Sequence, residues 1–150
     1  MTEQIYTNYR LQLVSEEVLG TLVVRDGTIS DIQPGTISQG KDGAGDYLMP
    51  GFVELHTDNL EQCISPRPKV HWPLEVAAVY HDRGLAAAGI TTVCDAIAVG
   101  DITPTSMRMT QFGPMIDTLY QGKTAGRFAV DHHLHLRCEL GYDQVHEVTA

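Results

Sequence analysis

Two short strings carry the residues best suited to chemistry. His56-Thr57-Asp58 offers an imidazole and a carboxylate two positions apart. On a strand, positions two apart point the same way, so the pair makes a partial shell for a hard or borderline divalent metal. The run Asp131 to Glu139 places His133, His135, Arg137 and Glu139 at spacings of two. They share one strand face, with His132, Leu134, Leu136 and Cys138 on the other. Glu139 lies furthest toward the carboxyl end, and is the candidate bridging carboxylate and catalytic residue. His135 is a candidate ligand, and Arg137 a candidate substrate contact. Arg67 and Lys69 sit in a proline-rich stretch and could meet phosphoryl oxygens, where arginine offers a two-pronged donor. Asp95 either touches the metal shell as a second catalytic residue or caps a turn. His81 and Asp82 read as a hydrogen-bonded packing pair, and Cys63 as a buried thiol.

Such residues need elements to hold them. Ile5–Val14, Val18–Arg25 and Thr28–Ile32 read as three strands, the last two joined by the hairpin signal Asp26-Gly27. Residues 34–46 read as a surface loop. Leu48–Leu55 is an apolar run that suits a buried strand, and a long loop from His56 to Trp72 follows. Leu74–Ala88 has helical spacing, with Pro73 in its first turn and Gly89 as the stop. Ile90–Ala96 reads as the next strand, with Asp95 at its end. A second helix has Thr103 and Pro104 as its start and Met109, Phe112, Ile116 and Leu119 as its stripe. Gly113-Pro114 inside it predicts a kink or break. Arg127–Cys138 is the third strand, and a last helix begins at Asp143. The fold class is therefore α/β. A β-meander over 1–48, part of a small β-sandwich, precedes three β/α units over 49–150. Such units build parallel sheets or barrels, and a closed (β/α)8 barrel takes ~250 residues. The expectation is the first part of an incomplete barrel, ending inside a helix. Gly122-Lys123-Thr124 imitates a phosphate-binding loop but has a helix before it and no glycine at position 117, so it is rejected.

Composition narrows the partners. The chain has 150 residues, 43% of them hydrophobic, and a formal net charge of -9. It can build a core, and it lacks the basic face that nucleic acid or an anionic membrane requires. No apolar run approaches the ~20 residues of a membrane span. Three scattered cysteines suit reduced thiols in a cytoplasm.

Four strings also carry a resemblance. LMPGFVELHTD, residues 48–58, looks like the entry to the amidohydrolase superfamily, with Asp58 where that superfamily usually has histidine. HTDNLE, PRPKVHWP, LAAAGITTVCDA and DHHLHLRCE resemble its phosphonate-metabolism branch. The resemblance implies a cytoplasmic hydrolase that uses one or two divalent ions, zinc first, with manganese or iron as alternatives. Its substrate would be a phosphorylated ribose phosphonate, cleaved at the 5-triphosphate to release pyrophosphate. A metal suits this by activating water and offsetting phosphoryl charge. A homo-oligomer remains open. Two rival readings stand beside it: a hydrolase of amides or cyclic amides, and an inactive or partner-dependent piece that lacks the later strands.

Overall fold

The computed structural model describes residues 2–101, 103 and 106–148. It divides into two compact units, Met1–Pro50 and Gly51–Ala150.

The first unit is one sheet. Strands β1 (Glu3–Gln12), β2 (Glu17–Arg25) and β3 (Thr28–Pro34) form an antiparallel meander. Asp26 and Gly27 both have positive φ, 49° and 80°. That conformation matches the twist of a two-residue hairpin. The segment read as loop contains β4 (Lys41–Asp42), and β5 (Tyr47–Leu48) follows it; both pair in parallel with β1. These two-residue strands are too short to show an alternating pattern, which is why the sequence conceals them.

The second unit holds a parallel sheet in the order β6-β7-β8, with β6 Phe52–Thr57, β7 Ile90–Val99 and β8 Asp131–Cys138. Helices α1 (Asn59–Ile64) and α2 (Leu74–Ala87) connect β6 to β7, and α3 (Met107–Thr124) connects β7 to β8. The short α4 (Val145–Val148) follows β8. Burial is deepest along β7, where every residue from Asp95 to Val99 is buried. Its apolar run is that of a strand covered on both faces. Leu60, Ile64, Ala77, Ala78, Ile97, Met115 and Leu119 form the main core between sheet and helices. Val93, Leu85 and Val130 form a second cluster.

Several sequence expectations need correction. The stretch after His56 is not all loop: Leu60 and Ile64, four apart, bury one face of α1 in the core. Pro73 sits just before α2 as its N-cap rather than inside its first turn. β7 continues to Val99, so Asp95 lies in mid-strand instead of at its end. Gly113-Pro114 does not break α3; Phe112, Met115, Ile116 and Leu119, on both sides of the proline, pack into one cluster. Ser106 caps α3, its Oγ accepting from the Met109 N–H at 3.3 Å. Pro104 falls outside the described residues. β8 starts at Asp131 rather than Arg127, because α3 and its closing turn extend to Gly126.

Two helix glycines give a paired test. An added Cβ on Gly84 meets nothing within 4 Å, whereas on Gly122 it would fall 2.2 Å from the Phe128 ring. Gly84→Ala should stabilise the chain by ~0.5–1 kcal/mol through helix propensity. Gly122→Ala should destabilise it by ~1–3 kcal/mol through overpacking. Urea denaturation of the two variants should show opposite signs.

Candidate metal and substrate site

The register of β6 against β7 slips between Glu54 and Thr57. Such an irregularity inserts backbone and re-aims side chains. Thr57 lies buried beside Asp95 in the ladder, and His56 is left exposed. Its ring meets that of His135 edge to face, with centroids 4.9 Å apart and planes at 88°. Two imidazoles 79 positions apart in sequence are thus neighbours across the sheet. His135 Nδ1 lies 3.3 Å from the Leu55 carbonyl oxygen. A carbonyl only accepts, so Nδ1 carries the proton; in the neutral ring that leaves the lone pair on Nε2, the tautomer a metal needs. No hydrogen bond to the His56 ring is found among the described residues.

Asp58 has left the strand and stands at the N-cap position of α1 without a side-chain cap bond. Its Oδ2 accepts from Arg137 Nη1 at 3.0 Å. Glu139, one residue past β8, has its Oε1 3.4 Å from Arg137 Nε. One guanidinium therefore joins the two carboxylates that the sequence singles out as ligands. Arg137 is part-buried, and it supplies the positive charge that keeps the two acids together. Two imidazoles and two carboxylates suit a divalent cation by type, but among the described residues the ligand atoms that already lie close enough to share one ion are those of His81, Asp95 and His132, not these four.

Glu139 also lines a small hollow of about 180 Å³ with Gly100, Arg108 and Tyr142. Arg108, which the sequence reading passed over, donates from Nε to Glu61 Oε2 at 3.0 Å. The larger cavity, about 780 Å³, is elsewhere: Thr57, Gln62, Trp72, Tyr80 and His81 are among its lining, and none of the candidate ligands is. Its size reflects the exposed outer side of β6 and α2, and the donor chemistry locates the site better than volume does.

Arg67 and Lys69 are not brought to these residues. They belong to a tight exposed turn in which Val70 N donates to Arg67 O at 3.0 Å and Lys69 takes a φ of 64°. No side-chain ion pair of either is found among the described residues.

Asp95 joins a different group. Its side chain points to the helix side with Val93 and Ile97, two residues away in either direction. Oδ1 is 2.8 Å from His81 Nε2, and Oδ2 is 2.6 Å from His132 Nδ1. His132 Nε2 is 3.3 Å from Asp82 Oδ1. Asp82 also accepts from the Ala129 and Val130 N–H groups, both at 2.9 Å. Burial alone would raise the Asp95 carboxyl, yet hydrogen bonds from His132 and His81, with their charges, hold it below the ordinary value. Burial would likewise depress His132, but Asp95 and then Asp82 outweigh it and raise the imidazole. The ligand atoms of His81, Asp95 and His132 lie within 4.8 Å of one another, close enough for a cation to be considered. The sequence showed each of these residues singly. It did not show that i and i+1 on α2 reach two different strand residues.

Burial raises the Cys63 thiol, which packs against the main core. All three cysteines are free. No helix among the described residues is long and apolar enough to cross a membrane.

The chain is 41% identical over 138 residues to alpha-D-ribose 1-methylphosphonate 5-triphosphate diphosphatase of Escherichia coli (strain K12). The resemblance to the phosphonate-metabolism branch of the amidohydrolase superfamily holds. The match takes in 91% of this chain and 36% of the relative, so the chain spans about a third of that protein's length. Among solved structures, a D-hydantoinase superposes with a TM-score of 0.59 at 20% identity, over 99% of this chain and 30% of its own. L-hydantoinase from Arthrobacter aurescens gives 0.57 at 24%, over 89% of this chain and 27% of its own. Dihydropyrimidinase from Brevibacillus agri NCHU1002 gives 0.58 at 17%, over 97% and 29%. At these identities the structures speak for the fold alone. No family model matches the chain.

The Arg137 pairing is testable without any substrate. In the presence of a chelator, a double-mutant cycle of Asp58→Asn with Arg137→Met should give a coupling of ~0.2–1 kcal/mol. The coupling should shrink as salt is added, because Asp58 is 45% exposed. A coupling of zero at low salt would mean the pair does not form in solution.

Proposed function

We propose that this chain is the opening part of a divalent-metal hydrolase that cleaves the triphosphate of α-D-ribose 1-methylphosphonate 5-triphosphate and releases pyrophosphate. The observation that carries the reading is the 41% identity to the diphosphatase, which extends over nine-tenths of the chain. In this reading residues 1–48 are a β-domain, and 49–150 are the first three units of a (β/α)8 barrel. The exposed Val53 and Leu55 on β6, and Leu134 and Leu136 on β8, support it: both outer strands carry apolar surface that further β/α units would cover.

His56, Asp58, His135 and Glu139 would hold the ion, or two ions. Zinc is the first expectation from the imidazole-rich set, with manganese and iron next. When bound, the ion supplies Lewis-acid offset of charge on phosphoryl oxygens. The chain's own residues do the rest. His135 is held in the ligating tautomer by Leu55. Arg137 bridges the acids and can turn a donor toward a phosphoryl oxygen. Glu139, at the mouth of the hollow shared with Arg108, is placed to accept a proton. Arg67 and Lys69 would have to swing inward to reach the triphosphate. Asp95 contributes from the opposite side of the sheet and does not touch substrate. The substrate is a small phosphorylated ribose phosphonate, and the compartment the cytoplasm. A second reading, hydrolysis of an amide or cyclic amide, draws on the hydantoinase fold and on no residue of the site.

The test is pyrophosphate release from the ribose triphosphate by the full-length protein, before and after chelation. Activity should vanish with chelator and return with a divalent metal. His56→Ala and Asp58→Ala should each remove it by at least about two orders of magnitude, with circular dichroism unchanged. Full activity in both variants would sink the ligand assignment. Ring opening of a hydantoin without pyrophosphate release would favour the second reading.

A further inference from the structure

The buried group on the helix side of the sheet invites a metal assignment, and its geometry points elsewhere. We infer that His132 stands in the core as an imidazolium joining Asp82 to Asp95, and that this proton-held chain seats β8, and with it His135 and Arg137, against α2. The inference rests on residues outside the candidate metal site and is independent of the proposed function.

Both ring nitrogens of His132 face carboxylate oxygens, Nδ1 to Asp95 at 2.6 Å and Nε2 to Asp82 at 3.3 Å. The Asp82 oxygens already accept two backbone N–H groups, and the Asp95 carboxylate also faces His81 Nε2. Neutral imidazole has one N–H; it would leave one nitrogen lone pair against a carboxylate lone pair in the dry core. With both acids ionised, only the doubly protonated ring satisfies both ends. The side chains of Asp82, Asp95, His81 and His132 are at most 3% exposed, so water cannot repair a mismatch. A cation would need ring lone pairs aimed at it, whereas the 2.6 and 2.8 Å contacts are those of protons shared directly between nitrogen and oxygen.

The other charged groups around His132 fit this assignment. From α2 come His81, Asp82 and Arg83, whose Nη1 is 3.3 Å from Asp82 Oδ2. From β7 comes Asp95. From α3, Lys123 Nζ donates to the His132 carbonyl at 2.8 Å and pairs with Asp131 at 2.7 Å. On β8, His133 turns outward to Asp131. Among the described residues, two carboxylates, and no second cation at hydrogen-bond distance from the ring, surround His132.

A pH dependence follows. The His132 value is raised in the fold, so its contribution is complete below the unfolded value of ~6.5 and is lost as pH rises through the folded one. The Asp95 value is lowered, so its contribution is present above ~3.9 and is lost as pH falls through the folded one. Stability from the chain of ions should be greatest between these limits and decline on the alkaline side.

Ring nitrogen NMR on the full chain at about pH 7.5, a unit above the free-imidazole value, should show both His132 nitrogens protonated. A neutral tautomer there would overturn the inference, and this measurement needs no variant. In thermal melts, wild type should lose several degrees between about pH 6 and about pH 9. His132→Gln, which keeps a single amide donor toward Asp82, should lose most of that pH dependence. An equal alkaline loss in both proteins would also overturn it. So would zinc, added alone, binding stoichiometrically to His56→Ala and not to His56→Ala combined with His132→Gln.

Discussion

A protein interior that admits four ionisable side chains must return to each the hydrogen bonds that water had supplied. Here the balance is struck at His132. Asp82 and Asp95 come from different elements, α2 and β7; beside the Ala129 and Val130 N–H groups and Arg83 at Asp82, and His81 at Asp95, one further donor stands between the two acids. The imidazole on β8 is that donor. Three elements are therefore joined through one ring, in a region where apolar packing alone is non-directional. Leu85, Val93 and Val130 exclude water beside it, and Phe128 lies against the ring with centroids 4.6 Å apart. Apolar contact can hold α2 near the sheet; the polar chain decides how α2 is positioned along it.

The two faces of the sheet thus divide the labour. Val93, Asp95 and Ile97 face the helices, and small Ala96 and Ala98 alternate with them on β7. Small residues in the central strand leave room for the larger His56 and His135 on the strands beside it. The register slip in β6 completes the arrangement by sending Thr57 inward and His56 outward. Had β6 stayed regular, His56 and Asp58 would have remained an equivalent pair on one strand face. Instead Asp58 starts α1, and Arg137 reaches it from β8.

Much of this was legible in residue patterns. The Asp26-Gly27 hairpin, the apolar run of β7 and the spacing of α2 all encode local structure through short-range rules. So did the alternation that separates His132 from His133 and His135. Other features were not legible, for physical reasons. The two-residue strands β4 and β5 owe their existence to pairing with β1. The α1 helix owes its existence to Leu60 and Ile64 finding the core, and the prolines just after it hide it. Pro114 costs a backbone hydrogen bond in α3, and packing on either side overrides that cost. Asp95 looked like a strand-end carboxylate because its strand's apolar run resumes only after it.

The distinction between the two histidine pairs is what the sequence could least supply. His56 and His135 are exposed, and His135 has one nitrogen left free by a backbone carbonyl. His81 and His132 are buried, and every His132 nitrogen is claimed by a carboxylate. The same residue types, His and Asp, appear in both groups. Composition therefore cannot say which group takes a metal and which takes protons. Solvent access and donor count separate the two groups: the His56 and His135 rings are exposed and no partner of His135 Nε2 is found among the described residues, whereas both His132 nitrogens face carboxylates.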